Sequence, residues 1–287
     1  MYDLSILVPT IRTHLLEDLY QSACNSCNTY SFEMVFVGPF DIPQSLMEKD
    51  NVKYIKDYGQ PTRAVQIGLQ YISSNLMCWI TDDGFFYPNT LFKTINSYKN
   101  ECVDTDIVGM RFFENPEHYK AIKEGTTTDQ NPTSRLSNHP DGYWYAGASY
   151  GSFKGIKPHW GIACLFMMNT GVLKMYGGWD CQFEYLNHST HDLLCRMQKK
   201  GNRFFLPDYD VFVANWYEGT SKDHAPVHYG QLTHDQQIFH DMWINPNDRY
   251  QVDMNNWENY PEIWERRFGQ SKPKTYKELY GSQWTEI

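Results

Sequence analysis

The N-terminal third of the chain alternates short apolar runs with stretches in which apolar residues recur at helical spacing. LSILVPT (4–10) is a compact apolar run ending near a proline, the pattern of a strand buried on both faces. His14 to Cys27 then carries Leu15, Leu16, Leu19 and Tyr20 at helical spacing. EMVFVGP (33–39) predicts a second strand, closed by Gly38-Pro39, and NVKYI (51–55) a third. PTRAVQIGLQYISSN (61–75) places Val65, Ile67, Leu69 and Ile72 in a helical register, with Pro61 suited to a first helical turn. MCWITDD (77–83) predicts a fourth strand. This alternation predicts an α/β fold with a mostly parallel central sheet flanked by helices. Ligands in such sheets bind beyond the carboxyl ends of the strands, near a switch in strand order. Those ends read PTIR (9–12), GPFD (38–41) and TDDG (81–84).

From Glu114 to Trp160 the periodicity dissolves. TTTDQNPTSRLSNHPDG is polar and rich in turn-forming residues, so a long loop is expected. Its second half holds Tyr143, Trp144, Tyr145, Tyr150, Phe153 and Trp160, rings that either stack on a sugar or pin the loop to the core. GIACLFMMN (161–169) resumes strand character, and TGVLKMYGGWD (170–180) reads as a short helix ending at Gly177-Gly178. HDLLCRMQKKG (191–201) is amphipathic with a glycine stop, and NRFFLPDYDVFVANW (202–216) is strand-like. Beyond about residue 240, Trp243, Trp257, Trp264 and Trp284 stand among polar residues, which predicts a helical or irregular tail packed on the body.

Composition narrows the classes. With 25 Lys plus Arg against 34 Asp plus Glu, the formal net charge of −9 argues against non-specific nucleic-acid wrapping, which needs clustered cations. No apolar run reaches the length of a membrane span, and no signal peptide is visible at the start. Seven cysteines, an odd number, point to free thiols in a reducing, cytoplasmic setting. Cys24 and Cys27 form a CxxC, but no second pair at zinc-finger spacing accompanies it.

The chemistry concentrates at Asp82-Asp83. Two adjacent carboxylates at the tip of a buried strand are costly unless a cation or donor groups compensate them. A divalent ion holding a diphosphate would do so, whereas Asp-Gly is also a common turn pair.

The order of segments resembles the GT-A fold nucleotide-sugar glycosyltransferases of the large inverting family two type, over about residues 4–230. LSILVPT resembles that family's first strand, PTRAVQIGLQ its "aRN-gl" helix, and ITDDGFFYPNTL its DXD segment, aligned on Pro88. GIACLFMMNTGVLKMYGGWD resembles its "ga…r…l…GGfD" stretch, and STHDLLCRMQKKG falls where its "ED-x-DL-x-R" helix is expected. The first acid of DXD is Thr81 here, the "ED" pair is Ser189-Thr190, and the acid that often ends the second strand is replaced by Gly38-Pro39, with Asp41 close by.

The resemblance implies a single catalytic domain over 1–240, with a nucleotide-binding half (about 1–110), an acceptor half (about 111–240) and an aromatic extension over 241–287. It implies that Pro9, Thr10, Arg12, Arg63 and Asp82 bind the nucleotide sugar, a UDP-sugar first among the donors. Asp83 and His224, with His228 as the alternative, would hold Mn²⁺ or Mg²⁺. Asp192 would be the general base, with His191 second. The implied activity is inverting transfer of a sugar to a hydroxyl, a glycan first among acceptors. An inactive carbohydrate-binding relative and a metal-dependent hydrolase using Asp82, Asp83, His224 and His228 are the alternatives.

Overall fold

A computed structural model describes residues 1–114, 148–150, 160–214, 229–243 and 252–255. Strands β1 (Leu4–Pro9), β2 (Phe32–Gly38), β3 (Val52–Lys56) and β4 (Leu76–Trp79) lie in the order β4-β1-β2-β3, all parallel. Every residue of β2 is buried and β1 is buried up to Val8. That explains why both read as unbroken apolar runs rather than alternating ones. The crossovers carry α1 (Leu16–Cys27), the short α2 (Gln44–Met47) and α3 (Pro61–Tyr71), and α3 packs on β1 and β2. Helix α4 (Thr90–Glu101), which packs on α1, and strand β6 (Ile107–Gly109) are not among the elements predicted from the sequence.

Beyond β4 the sheet continues with β10 (Phe166–Asn169), β6 and β11 (Phe204–Phe205), giving seven strands, mostly parallel. β10 runs antiparallel to both β4 and β6. The fold class read from the sequence therefore holds.

Three predicted elements differ from the structure. MCWITDD is not one strand: β4 stops at Trp79, Thr81–Gly84 forms a turn closed by Gly84 N–H on the Thr81 carbonyl at 3.0 Å, and β5 (Gly84–Phe86) leaves for a second sheet. That sheet has the order β5-β12-β7, with β7 spanning Arg111–Glu114 and β12 spanning Asp210–Ala214. GIACLFMMN is likewise two strands, β9 (Gly161–Ala163) and β10. β9 pairs with β8 (Ala148–Tyr150), outside the central sheet. Both halves of that run are buried, so hydrophobicity carries no mark of the change of sheet. Residues 202–216 divide in the same way into β11 and β12.

Helix α5 (Thr170–Met175) ends in Gly177 and Gly178, at φ +80° and +68°. Helix α6 (Leu186–Lys199) starts five residues before the predicted helix, and α7 (Gln236–Trp243) follows a π-helical turn at Gln231–Asp235. Helix α7 runs through residue 240, where the sequence suggested a boundary. Val252 is buried and donates its N–H to the Tyr176 carbonyl, so this piece of the extension packs on the body. All seven cysteines are free thiols, and Cys24 and Cys27 lie on α1. No helix among the described residues is long and apolar enough to cross a membrane.

Candidate active site

The strand order turns at β1: β2 and β3 extend to one side and β4 to the other, so the place where open α/β sheets bind ligands lies at the carboxyl ends of β1 and β4. Pro9 and Thr10 close β1, and Thr10 N–H donates to the Val37 carbonyl at 2.9 Å. Gly38 makes this approach feasible, because a Cβ there would stand 1.9 Å from the Thr10 carbonyl oxygen.

Asp82 reaches across from the end of β4 and is filled by donors. Its Oδ2 accepts the backbone N–H groups of Ile11 and Arg12, each at 2.8 Å, and the Thr10 hydroxyl at 3.2 Å. Its Oδ1 accepts Arg12 Nη1 at 2.5 Å. The same Nη1 lies 3.5 Å from Asp83 Oδ2. Arg12 and Asp82 are both buried. Burial pushes the Asp83 carboxyl above its ordinary range; the Arg12 guanidinium pulls it down and the neighbouring Asp82 charge pushes it up.

A second ion pair stands at the start of α3. Arg63 Nε lies 3.0 Å from Asp57 Oδ2, and Nη2 lies 3.0 Å from Oδ1, a fork-to-fork arrangement with both residues buried. Asp57 follows β3 directly, and its N–H donates to the Gly38 carbonyl at 3.1 Å. Sequence reading passed over Asp57; its signal is an acid at a strand end six residues before an arginine in the first helical turn. Asp41 instead pairs with Lys56 at the surface, 2.9 Å away.

The segment between α5 and α6 is pinned to α3. Gln66 Nε2 donates to the Gly177 carbonyl and its Oε1 accepts Trp179 N–H, both at 2.8 Å. Gln60 Nε2 donates to the carbonyls of Cys181 and Phe183 at 3.1 and 2.9 Å. Thr62 Oγ1 meets Ser189 Oγ at 3.2 Å. Asp180, fully buried, accepts Gln182 N–H at 2.9 Å. Trp179 Nε1 donates to the Thr190 hydroxyl at 3.1 Å, so the Ser189-Thr190 hydroxyls work inside the packing.

Asp192 faces inward, fully buried. Its Oδ2 accepts Arg196 Nε and its Oδ1 accepts Trp243 Nε1, both at 2.9 Å. Arg196 in turn donates to the carbonyls of Tyr176 and Gly178. The two residues thus fix the turn that leads to Trp179-Asp180. His188 and His191 are buried against Phe239, and desolvation pulls their imidazoles down to about 4 and about 3. Asp235 accepts the N–H groups of Glu184 and Tyr185 at 2.9 and 2.7 Å, and its Oδ1 lies 2.8 Å from His234 Nδ1. Burial raises the Asp235 carboxyl against these hydrogen bonds.

Among the described residues, no group of three or more His, Cys, Asp or Glu side chains is arranged to hold a metal ion. The saturated Asp82 carboxylate does not fit a metal ligand, whereas Asp83 supplies one carboxylate. His224 and His228 lie outside the described residues.

The fold that sets these strand ends is similar to that of solved structures at low sequence identity. A crystal structure of S. aureus TarS matches with TM-score 0.51 at 13% identity, covering 94% of this chain and 44% of that one. TarS 1-349 in complex with UDP matches with TM-score 0.50 at 14% identity, covering 84% of this chain and 72% of that one. The mannosyltransferase PcManGT from Pyrobaculum calidifontis, in complex with GDP-Man and Mn²⁺, follows with TM-score 0.47 at 13% identity, covering 80% of this chain and 64% of that one. The chain therefore spans less than half the length of the first TarS structure. No protein-family model matches the sequence. No curated protein matches it either.

Proposed function

We propose that the chain is a glycosyltransferase that moves a sugar from a nucleoside-diphosphate donor, a UDP-sugar first, to a hydroxyl acceptor such as a glycan. The observation that carries this reading is the meeting of Thr10, Arg12, Asp82 and Asp83 beyond the carboxyl ends of β1 and β4, where the strand order reverses. The shared fold with UDP-bound TarS supports it. Arg63, its fork preset by Asp57, is a second donor group for the anionic end of the donor.

In this reading the acceptor hydroxyl oxygen attacks the anomeric carbon in line with the departing nucleoside diphosphate, oxocarbenium-like charge builds at the carbon, and the hydroxyl proton passes to solvent as the new bond forms. A single displacement inverts that centre. A divalent ion, when held by Asp83 and His224, would supply Lewis-acid stabilisation of the leaving group. Asp192 enters as the acid that sets Arg196 and the Gly177-Gly178 turn rather than as the general base, because both of its oxygens are engaged. That engagement also favours a second reading, a nucleotide-sugar-binding relative without turnover.

Calorimetry with UDP-, GDP- and dTDP-sugars in the presence of Mn²⁺ tests the proposal. Micromolar binding of at least one is expected, and no binding of any would overturn it. Release of free nucleotide from the bound donor separates the transferase from the binding relative.

A further inference from the structure

We infer that Asp82 is a positioning residue that acts through Arg12, and that Arg12 is the side chain that meets the donor's diphosphate; this rests on the nucleotide-sugar reading above. Asp82 spends its whole carboxylate on one short segment. Three donors from Thr10, Ile11 and Arg12 converge on Oδ2, and the Arg12 guanidinium takes Oδ1. A carboxylate that collects two successive backbone N–H groups fixes the path of the chain there, much as a capping residue does. The segment in question is the one that leaves β1 at the reversal of strand order, where a ligand is expected. Asp82 therefore determines where Arg12 begins and, through Oδ1, where its guanidinium ends.

The position of that guanidinium matters electrostatically. Nη1 stands 2.5 Å from Asp82 Oδ1 and 3.5 Å from Asp83 Oδ2. Without it the strand tip would offer two adjacent carboxylates to an incoming anion. With it, a planar guanidinium that Asp82 holds by Nη1 stands at the same tip, a cation of the kind suited to phosphate oxygens. Asp82 is negative yet serves anion binding, because it orders a cation that a loose loop would let swing into water.

This assignment fixes a sign. If Asp82 acted on the diphosphate only by its charge, Asp82→Asn would tighten UDP binding, since a like charge is removed. If Asp82 acts by holding Arg12, the same substitution weakens it. Titrations of UDP, GDP, dTDP and uridine, with Mn²⁺ present, into wild type, Asp82→Asn, Arg12→Ala and the double variant read this directly. The expected result is a loss of roughly tenfold or more in UDP affinity for each single variant and no further loss in the double, with uridine affinity changed less than twofold. The uridine arm and a thermal melt of each variant report a site that has merely come apart, since that would lower both ligands together. Tighter UDP binding in Asp82→Asn, additive losses in the double variant, or unchanged UDP affinity in Arg12→Ala would each overturn the inference and leave the transferase reading standing. Failure of wild type to bind any of the three nucleotides would remove both.

Discussion

Three buried arginine–aspartate pairs stand among the candidate site residues, and they differ in geometry. Arg63 and Asp57 meet as two forks, an arrangement a lysine cannot reproduce. Arg63→Lys keeps the charge and loses the second bond, so UDP affinity is expected to fall by roughly tenfold, about 1.4 kcal/mol, in a calorimetric titration. Asp57→Ala leaves a buried guanidinium without its carboxylate, and a stability loss of about 3 kcal/mol is expected in urea unfolding. Asp192 belongs to the same class of buried, fully engaged acid. Asp192→Asn is expected to lower the melting temperature while leaving donor affinity within about twofold, since its partners are Arg196 and Trp243. A hundredfold fall in turnover with an unchanged melt would instead return it to the role of base.

Between residues, the elements are joined by a few turns that carry special backbone. Gly177 stands at φ +80°, and a Cβ there would lie 1.6 Å from the Val252 carbonyl oxygen. Gly178 stands at φ +68°, with Gln66 Oε1 2.2 Å from the same virtual atom. Gly177→Ala therefore combines left-handed strain with a clash against backbone, and a cost of more than about 2 kcal/mol is expected in a thermal melt. The glycine pair was legible as a helix stop, but its reason was not, because the atoms it makes room for lie far along the chain, at Gln66 and Val252. The same holds for the start of α6. Residues 186–190 carry no apolar periodicity. The N–H groups ahead of that helix are satisfied by Asp235, some fifty residues away. The split of GIACLFMMN into two strands was invisible for the opposite reason: burial on both faces erases the alternation that would mark a change of sheet.

Across the whole molecule, α6 packs on α3 from the first half of the chain, and α7 packs in turn on α6. His188 and His191 lie in that contact, against Phe239. Their imidazoles titrate near 4 and 3 in the folded chain against about 6.5 unfolded, so below pH 6.5 the unfolded state takes up protons that the folded state refuses. The stability that these neutral rings permit is fully present above pH 6.5 and is lost as pH falls toward 4. The melting temperature is expected to drop across that window, and His191→Phe is expected to flatten the slope; an equal slope in both proteins would refute the account.

The sequence by itself determined the α/β layering, the four parallel strands of the N-terminal half and the strand ends that Thr10, Arg12 and Asp82 follow. Those follow from local periodicity and from the rule that ties ligands to strand ends, and both are written in neighbouring residues. Only the tertiary structure decided what each acid does. Asp82 and Asp83 stand side by side in the chain, yet one is saturated by a loop seventy residues earlier in sequence and the other meets the same Arg12 guanidinium only at 3.5 Å. Asp192 fits the resemblance's motif, yet α7 covers it and Arg196 claims it. The task of a carboxylate is set by the donors that reach it, and those arrive from segments whose distance along the chain hides them from any local reading.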